Sequence, residues 1–210
     1  MKLYDAAWAP SPRRVRIFLA EKAMTVERVA VDLRENEQLG PEFLAVNSRG
    51  TVPALALDGG EVISESAAIC RYLEALQHDP PLFGRTPLEI AQIEMWTRRI
   101  ESDGYAAAAY VLRNTAERFA NRGAAGRWPA MPQIPALAER GRIMWGAFVE
   151  ALEEQLADRE WITGECYTFA DITALVTIDF ARAAKLLVGE EARHVQRWHA
   201  AATARPSAGA

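Results

Sequence analysis

Cysteine is nearly missing from this sequence: of 210 residues only Cys70 and Cys166 carry a thiol, and they stand far apart. That excludes a disulfide-stapled scaffold and any paired-cysteine zinc or redox motif, so no metal is expected. Each cysteine reads as a small packing residue, suited to a reduced cytoplasm. An excess of positive charge is lacking too, since 24 Lys and Arg against 28 Asp and Glu leave a formal net charge of -4. Nothing here offers the electrostatic footprint of a nucleic-acid or anionic-membrane binder. No segment approaches the ~20 uninterrupted apolar residues of a membrane span. Met1 and Lys2 lead straight into Leu3, Tyr4 and Asp5, without the apolar stretch of a secretory signal. Internal repeats and low-complexity tracts are missing as well. What remains, half hydrophobic and a quarter charged, is a composition able to bury a sizeable core, expected in the cytoplasm.

The first third alternates strand and helix patterns. Lys2 to Tyr4 reads as a strand, Arg13 to Met24 as an amphipathic helix, and Val26 to Val31 as a second strand. After polar residues 32–40, Pro41 to Val46 suits a short helix, because Pro fits a first helical turn. Ala54 to Leu57 and Glu61 to Ile63 flank Asp58-Gly59-Gly60, a hairpin signal. Ser66 to Leu76 then carries Ala67, Ile69, Cys70, Leu73 and Leu76 on one helical stripe. The order is βαβ followed by ββα. Residues 78–87 contain three prolines and a glycine, which forbid regular structure and mark a linker between parts 1–77 and 88–210. The second part reads as an all-helical bundle. Leu88, Ile90, Ile93, Trp96 and Ile100 have helical spacing that continues towards Phe119, residues 121–135 interrupt it, and Leu137 to Leu156 resumes it. Thr168-Phe-Ala-Asp171 has the form of a capping box. The Ala-rich tail after Ala200 is expected to be frayed or loosely docked.

Three segments, in this order and spacing, resemble one family. Ser11-Pro-Arg-Arg-Val-Arg-Ile-Phe-Leu-Ala-Glu-Lys22 is similar to the first helix of cytosolic glutathione transferases, Asn47-Ser-Arg-Gly-Thr-Val-Pro-Ala-Leu55 to their Val-Pro loop, and Ile63-Ser-Glu-Ser-Ala-Ala-Ile69 to their Glu-Ser turn. With Thr168 to Asp171 and Arg205-Pro206-Ser207, the likeness spans essentially the whole chain. It points to bacterial members of the beta, theta and zeta type, which use Ser or Cys near the reacting sulfur. The resemblance implies a thioredoxin-like α/β domain that binds glutathione, followed by the helical bundle, in a homodimer.

Glutathione reacts as its thiolate, yet a free thiol of pKa ~8.5 is only a few per cent ionised at neutral pH. A shift of about two units is worth roughly 2.7 kcal/mol of preference for the anion. A hydroxyl donor together with the positive end of a helix can supply it. Ser11 meets that requirement as the catalytic residue. It is equally read as a plain N-cap, and a backbone amide between Trp8 and Ser11 is the other candidate donor. Tyr4, on a strand, reads as packing. The resemblance implies that Val52, before a cis Pro53, pairs with the cysteinyl backbone of glutathione. Ser66, at a helix start, would receive the γ-glutamyl carboxylate and Glu65 its ammonium. The bland reading makes Ser66 a cap and Glu65 a first-turn acid. The glycine carboxylate needs a cation, and Arg49 or Arg34 is available, since Thr51 stands where relatives carry Lys or Gln. Asp103 is read as a solvated acid or as a contact to a partner's ligand.

The electrophile, an apolar small molecule, is expected over Trp8, Ala9 and Pro10 with Tyr105, Tyr110 and Arg113 opposite. Trp96 to Ile100 supplies arginines and an aromatic anchor to a dimer interface. The expected reaction adds the glutathione thiolate to an electrophilic carbon. Two alternatives share the site: an isomerase, lyase or dehalogenase that returns glutathione as a cofactor, and a non-catalytic glutathione transferase-like binding protein. The redox variant is disfavoured, because Ala9-Pro-Ser-Pro-Arg-Arg14 has no cysteine to form a mixed disulfide.

Overall fold

The computed structural model describes residues 1–210. The chain forms two compact units: Met1–Pro80 with Ala124–Pro129 and Ala210, and Pro81–Gly123 with Ala130–Gly209. Residues 124–129, expected inside the helical part, thus pack with the first unit.

The first unit is thioredoxin-like. Strands β1 (Lys2–Asp5), β2 (Glu27–Ala30), β3 (Ala54–Ala56) and β4 (Val62–Ser64) form one sheet in the order β2-β1-β3-β4. The β1–β2 pair is parallel, as a βαβ crossover requires, and β3 pairs antiparallel with both β1 and β4. Helices α1 (Pro10–Glu21), α2 (Pro41–Val46) and α3 (Ser66–Leu76) complete the unit. Its core joins Leu3 and Leu55 of the sheet to Val15, Phe18, Ile69, Cys70 and Leu73, all fully buried. Tyr4 packs its ring edge-on against Phe43 at 5.8 Å.

Helix α1 begins three residues earlier than its apolar periodicity indicates. Ala9 is the N-cap and Pro10 the first helical residue, a position where the missing proline N–H costs nothing. The helix stops at Glu21 because Ala23 turns to φ 51 and the Met24 N–H reaches back to the Leu19 carbonyl at 2.9 Å. Likewise Val26, Val31 and Leu57 lie just outside their strands. Backbone pairing, which apolar pattern does not report, sets those ends.

The second unit consists of α4 (Pro87–Arg99), α5 (Ala106–Thr115), α6 (Pro135–Gln155), α7 (Phe169–Ala181) and α8 (Arg193–Thr203). Thr86 caps α4 by accepting the Glu89 N–H at 3.2 Å. A π-helical turn, Ile100–Tyr105, joins α4 to α5 where one continuous helix is expected. So small a widening leaves the apolar spacing almost unchanged, which hides it from periodicity. Residues 169–178 of α7 are all buried, so it is the central helix. The tail is ordered, contrary to expectation. Helix α8 continues to Thr203, residues 206–209 form a 3-10 turn, and Ser207 and Ala208 are buried. No helix is long and apolar enough to cross a membrane.

Candidate functional site

The sheet register brings the predicted residues to one end of the first unit. Tyr4 pairs with Ala54, and Ala54 with Ser64. Three segments therefore leave one row of the sheet. From β1 the chain runs through Trp8 and Ala9 into α1 with Ser11; Val52 and Pro53 lead into β3; and Glu65 and Ser66 follow β4. With strands about 4.8 Å apart, the row spans roughly 10 Å, close to the length of three extended residues.

Each segment is shaped by local chemistry. Ser11 occupies the second position of α1, between Pro10 and Pro12. This corrects the N-cap reading, since Ala9 holds that place. Neither proline has an N–H, so Ser11 carries the sole backbone donor among the first three helical residues. It stands where the helix field is positive. The preceding loop is braced by Arg16, only 6% exposed. Its guanidinium donates to Asp5 Oδ1 at 2.6 Å, to the Ala7 carbonyl at 2.7 Å and to the Ala210 carbonyl at 3.1 Å. Trp8 remains 55% exposed while Ala9 is buried.

The Val52-Pro53 peptide is cis, as is Asp79-Pro80. The Asn47 side chain steadies the loop before it by donating to the Thr51 carbonyl at 2.8 Å. Glu65 is the N-cap of α3 with φ 71, a conformation rare for a residue with a β-carbon. Ser66 is the first helical residue and buried. The bland assignment of Ser66 as cap and Glu65 as first-turn acid is thus shifted by one residue. Arg49 Nε lies 3.5 Å from Glu65 Oε1, tying the loop before β3 to the start of α3.

Other expectations resolve differently. Tyr105 lies in the π-helical turn of the second unit, its ring stacked on Phe180 at 5.0 Å. Trp96 is buried within its own unit, with the Arg99 guanidinium 5.3 Å from its ring. It is no exposed anchor; α4 instead exposes Leu88, Ile90 and Met95. Asp103 is exposed and accepts the Ser102 hydroxyl at 2.8 Å. Cys70 is fully buried and burial pushes its thiol pKa up, whereas Cys166 is exposed rather than packed. A cavity of about 460 Å³ in the second unit, lined by Ile178, Arg182, Leu186, Val195, Gln196 and His199 among others, contains none of the predicted residues. No group of three or more His, Cys, Asp or Glu side chains is arranged to hold a metal ion. Arg16 was missed by sequence reasoning. The signal available was Asp5 together with a third arginine on the otherwise apolar face of α1.

Comparison with known proteins agrees with this architecture. Residues 8–76 match the glutathione S-transferase N-terminal domain and residues 135–206 the C-terminal domain. The chain is 35% identical over 213 residues to glutathione S-transferase 2 of Saccharomyces cerevisiae, covering 99% of this chain and 87% of that protein. The crystal structure of Gtt2 from Saccharomyces cerevisiae superposes with a TM-score of 0.89 at 34% identity, over 99% of this chain and 98% of that one. A glutathione S-transferase domain-containing protein of Marinobacter aquaeolei VT8 gives a TM-score of 0.90 at 36% identity, over 99% of both chains. With both halves matched and full-length relatives above 30% identity, this chain belongs to the glutathione S-transferase family, a family of transferases that use glutathione.

Proposed function

We propose that this chain binds glutathione along the end of the first sheet, stabilises its thiolate at the start of α1, and adds it to an electrophilic, hydrophobic small molecule. The observation that carries this reading is the row Tyr4–Ala54–Ser64, from which all three glutathione-directed segments depart. Val52 offers its backbone to the cysteinyl residue as an added strand residue would. Ser66 and the first turn of α3 meet the γ-glutamyl carboxylate, and the exposed carboxylate of Glu65 meets the ammonium. The loop that carries Arg49 runs towards the glycyl end, with the Arg49 guanidinium itself paired to Glu65.

The sulfur then lies over α1, where the Ser11 hydroxyl donates to it. On ionisation the thiol proton leaves to solvent. The thiolate attacks the electrophilic carbon, forming the C–S bond while a leaving group departs or a conjugated π-bond shifts its electrons to a distal atom. Trp8, Ala9 and Pro10 present apolar surface beside the sulfur for the acceptor. The exposed Leu88, Ile90 and Met95 of α4 suit a homodimer contact. The cytoplasm fits a chain with an exposed free thiol.

The ultraviolet thiolate band of the glutathione complex, followed against pH in wild type and Ser11→Ala, tests this. The bound thiol is expected to ionise well below its free pKa. Ser11→Ala is expected to raise that value by about one unit, the ~1.4 kcal/mol of a hydrogen bond to a charged atom. An unchanged pKa in the variant moves the role to the backbone amide. Binding without any lowered pKa supports a non-catalytic binding protein, and turnover that regenerates glutathione supports an isomerase or lyase.

A further inference from the structure

Residues 124–129 lie in sequence between α5 and α6, yet they belong to the first unit. The attachment is specific. The Arg127 N–H donates to the Arg49 carbonyl at 2.7 Å, directly on the loop that leads to Val52. Backbone meets backbone so closely only because side chains are missing on both sides. At Gly126, φ +98, a β-carbon would stand 2.8 Å from the Arg49 oxygen and 3.1 Å from Thr51 Cγ2. At Gly50, φ +65, it would stand 3.3 Å from the Arg127 nitrogen. The Trp128 indole N–H closes the turn on the Ala125 carbonyl at 2.8 Å.

The charges around this loop are unequal. Arg49 is paired with Glu65 at 3.5 Å, and Thr51 brings no charge. Arg127 is exposed and takes part in no ion pair. If the γ-glutamyl group sits at Ser66 and the cysteinyl backbone at Val52, the tripeptide continues past Val52 towards Thr51 and Arg49. That is where residue 127 is fastened. We infer that Arg127 supplies the cation for the glycyl carboxylate of glutathione, so that a segment from beyond the first domain's own sequence completes the glutathione site. The assignment rests on the reading of the site given above.

The test compares glutathione with its glycyl monoethyl ester, in which an uncharged ethyl ester replaces that carboxylate, on wild type, Arg127→Ala and Arg127→Lys by calorimetric titration. Arg127→Ala is expected to weaken glutathione about tenfold and leave the ester unchanged, with Arg127→Lys recovering part of the loss. Unchanged affinity for glutathione in Arg127→Ala, or equal losses for glutathione and ester, overturns the assignment alone. A wild type that binds neither compound overturns the site reading and this assignment with it.

Discussion

At 6% exposure Arg16 is a charge that the fold has taken from water, and it is retained because Asp5 and two carbonyls face it. A buried guanidinium needs such a set of acceptors, and here Asp5 and Ala7 belong to the segment that delivers Trp8 and Ser11, while Ala210 comes from the other end of the chain. The two thiols show the opposite contrast of one residue type in two settings. Cys70 is sealed in the core between sheet and helices, with its pKa raised by burial, while Cys166 is open to solvent. A thiol-exchange reagent acts on exposed thiolate. One thiol per chain is therefore expected to react with dithionitrobenzoate in buffer and two in denaturant. Two fast-reacting thiols in the native protein would show that the core around Cys70 opens.

Two helices of the second unit, α7 and α8, are started by carboxylates from within the chain. Asp171, fully buried in α7, accepts N–H bonds from Ile162 at 3.0 Å, Thr168 at 2.9 Å and the Trp198 indole at 2.8 Å, and the Thr168 hydroxyl at 3.0 Å. Burial raises its pKa, and those four bonds pull it back without cancelling the rise. Glu153 of α6 accepts the N–H groups of His194 and Val195 at 3.0 and 2.9 Å, capping α8 from a distance in sequence. Slight burial pushes its pKa up, and the N–H bonds of His194 and Val195, with the His194 charge and the Arg193 N–H, together outweigh that and hold it below the ordinary value. A carboxylate with a lowered folded pKa stabilises above its unfolded pKa, and loses that contribution as pH falls through the folded value. Glu153→Gln is expected to cost about 1 kcal/mol in urea denaturation at pH 7. The gap should close as pH falls towards 3; a gap that persists there would assign the loss to packing rather than charge.

Over the whole molecule, the first unit is closed by an ion. Lys22, at the end of α1, is buried with its ammonium against Glu74 of α3, the carbonyls of Gln77 and His78 at 2.8 Å, the Pro80 carbonyl and the Phe18 ring. It thereby fastens the last residues of that unit to its first helix. Removing one partner of a buried pair leaves the other charge uncompensated, at a cost of about 3–5 kcal/mol. Lys22→Met, close in volume, is expected to lower the unfolding free energy from urea denaturation by that amount, and adding Glu74→Leu should restore much of it. A loss of less than about 1 kcal/mol in the single variant would mean that the pair is dispensable.

The order βαβ then ββα, the helical second half and the family itself were legible from apolar spacing, turn residues and three short segments. Local chemistry decides such features: prolines at helix starts, Gly-Gly in the hairpin, and Thr168 with Asp171 at a cap. The roles of Arg16, Lys22 and Glu153 were not legible, because a charged residue in isolation reads as solvated and its partner lies far away in sequence. Nor did the Gly- and Pro-rich stretch from Asn121 to Pro135 reveal its attachment to Arg49. Sequence alone determined which segments take strand or helix and which family the chain belongs to. Tertiary structure decided where the helices begin, which charges are buried and that the distant loop 124–129 fastens to Arg49, because those follow from contacts between residues that no local pattern relates.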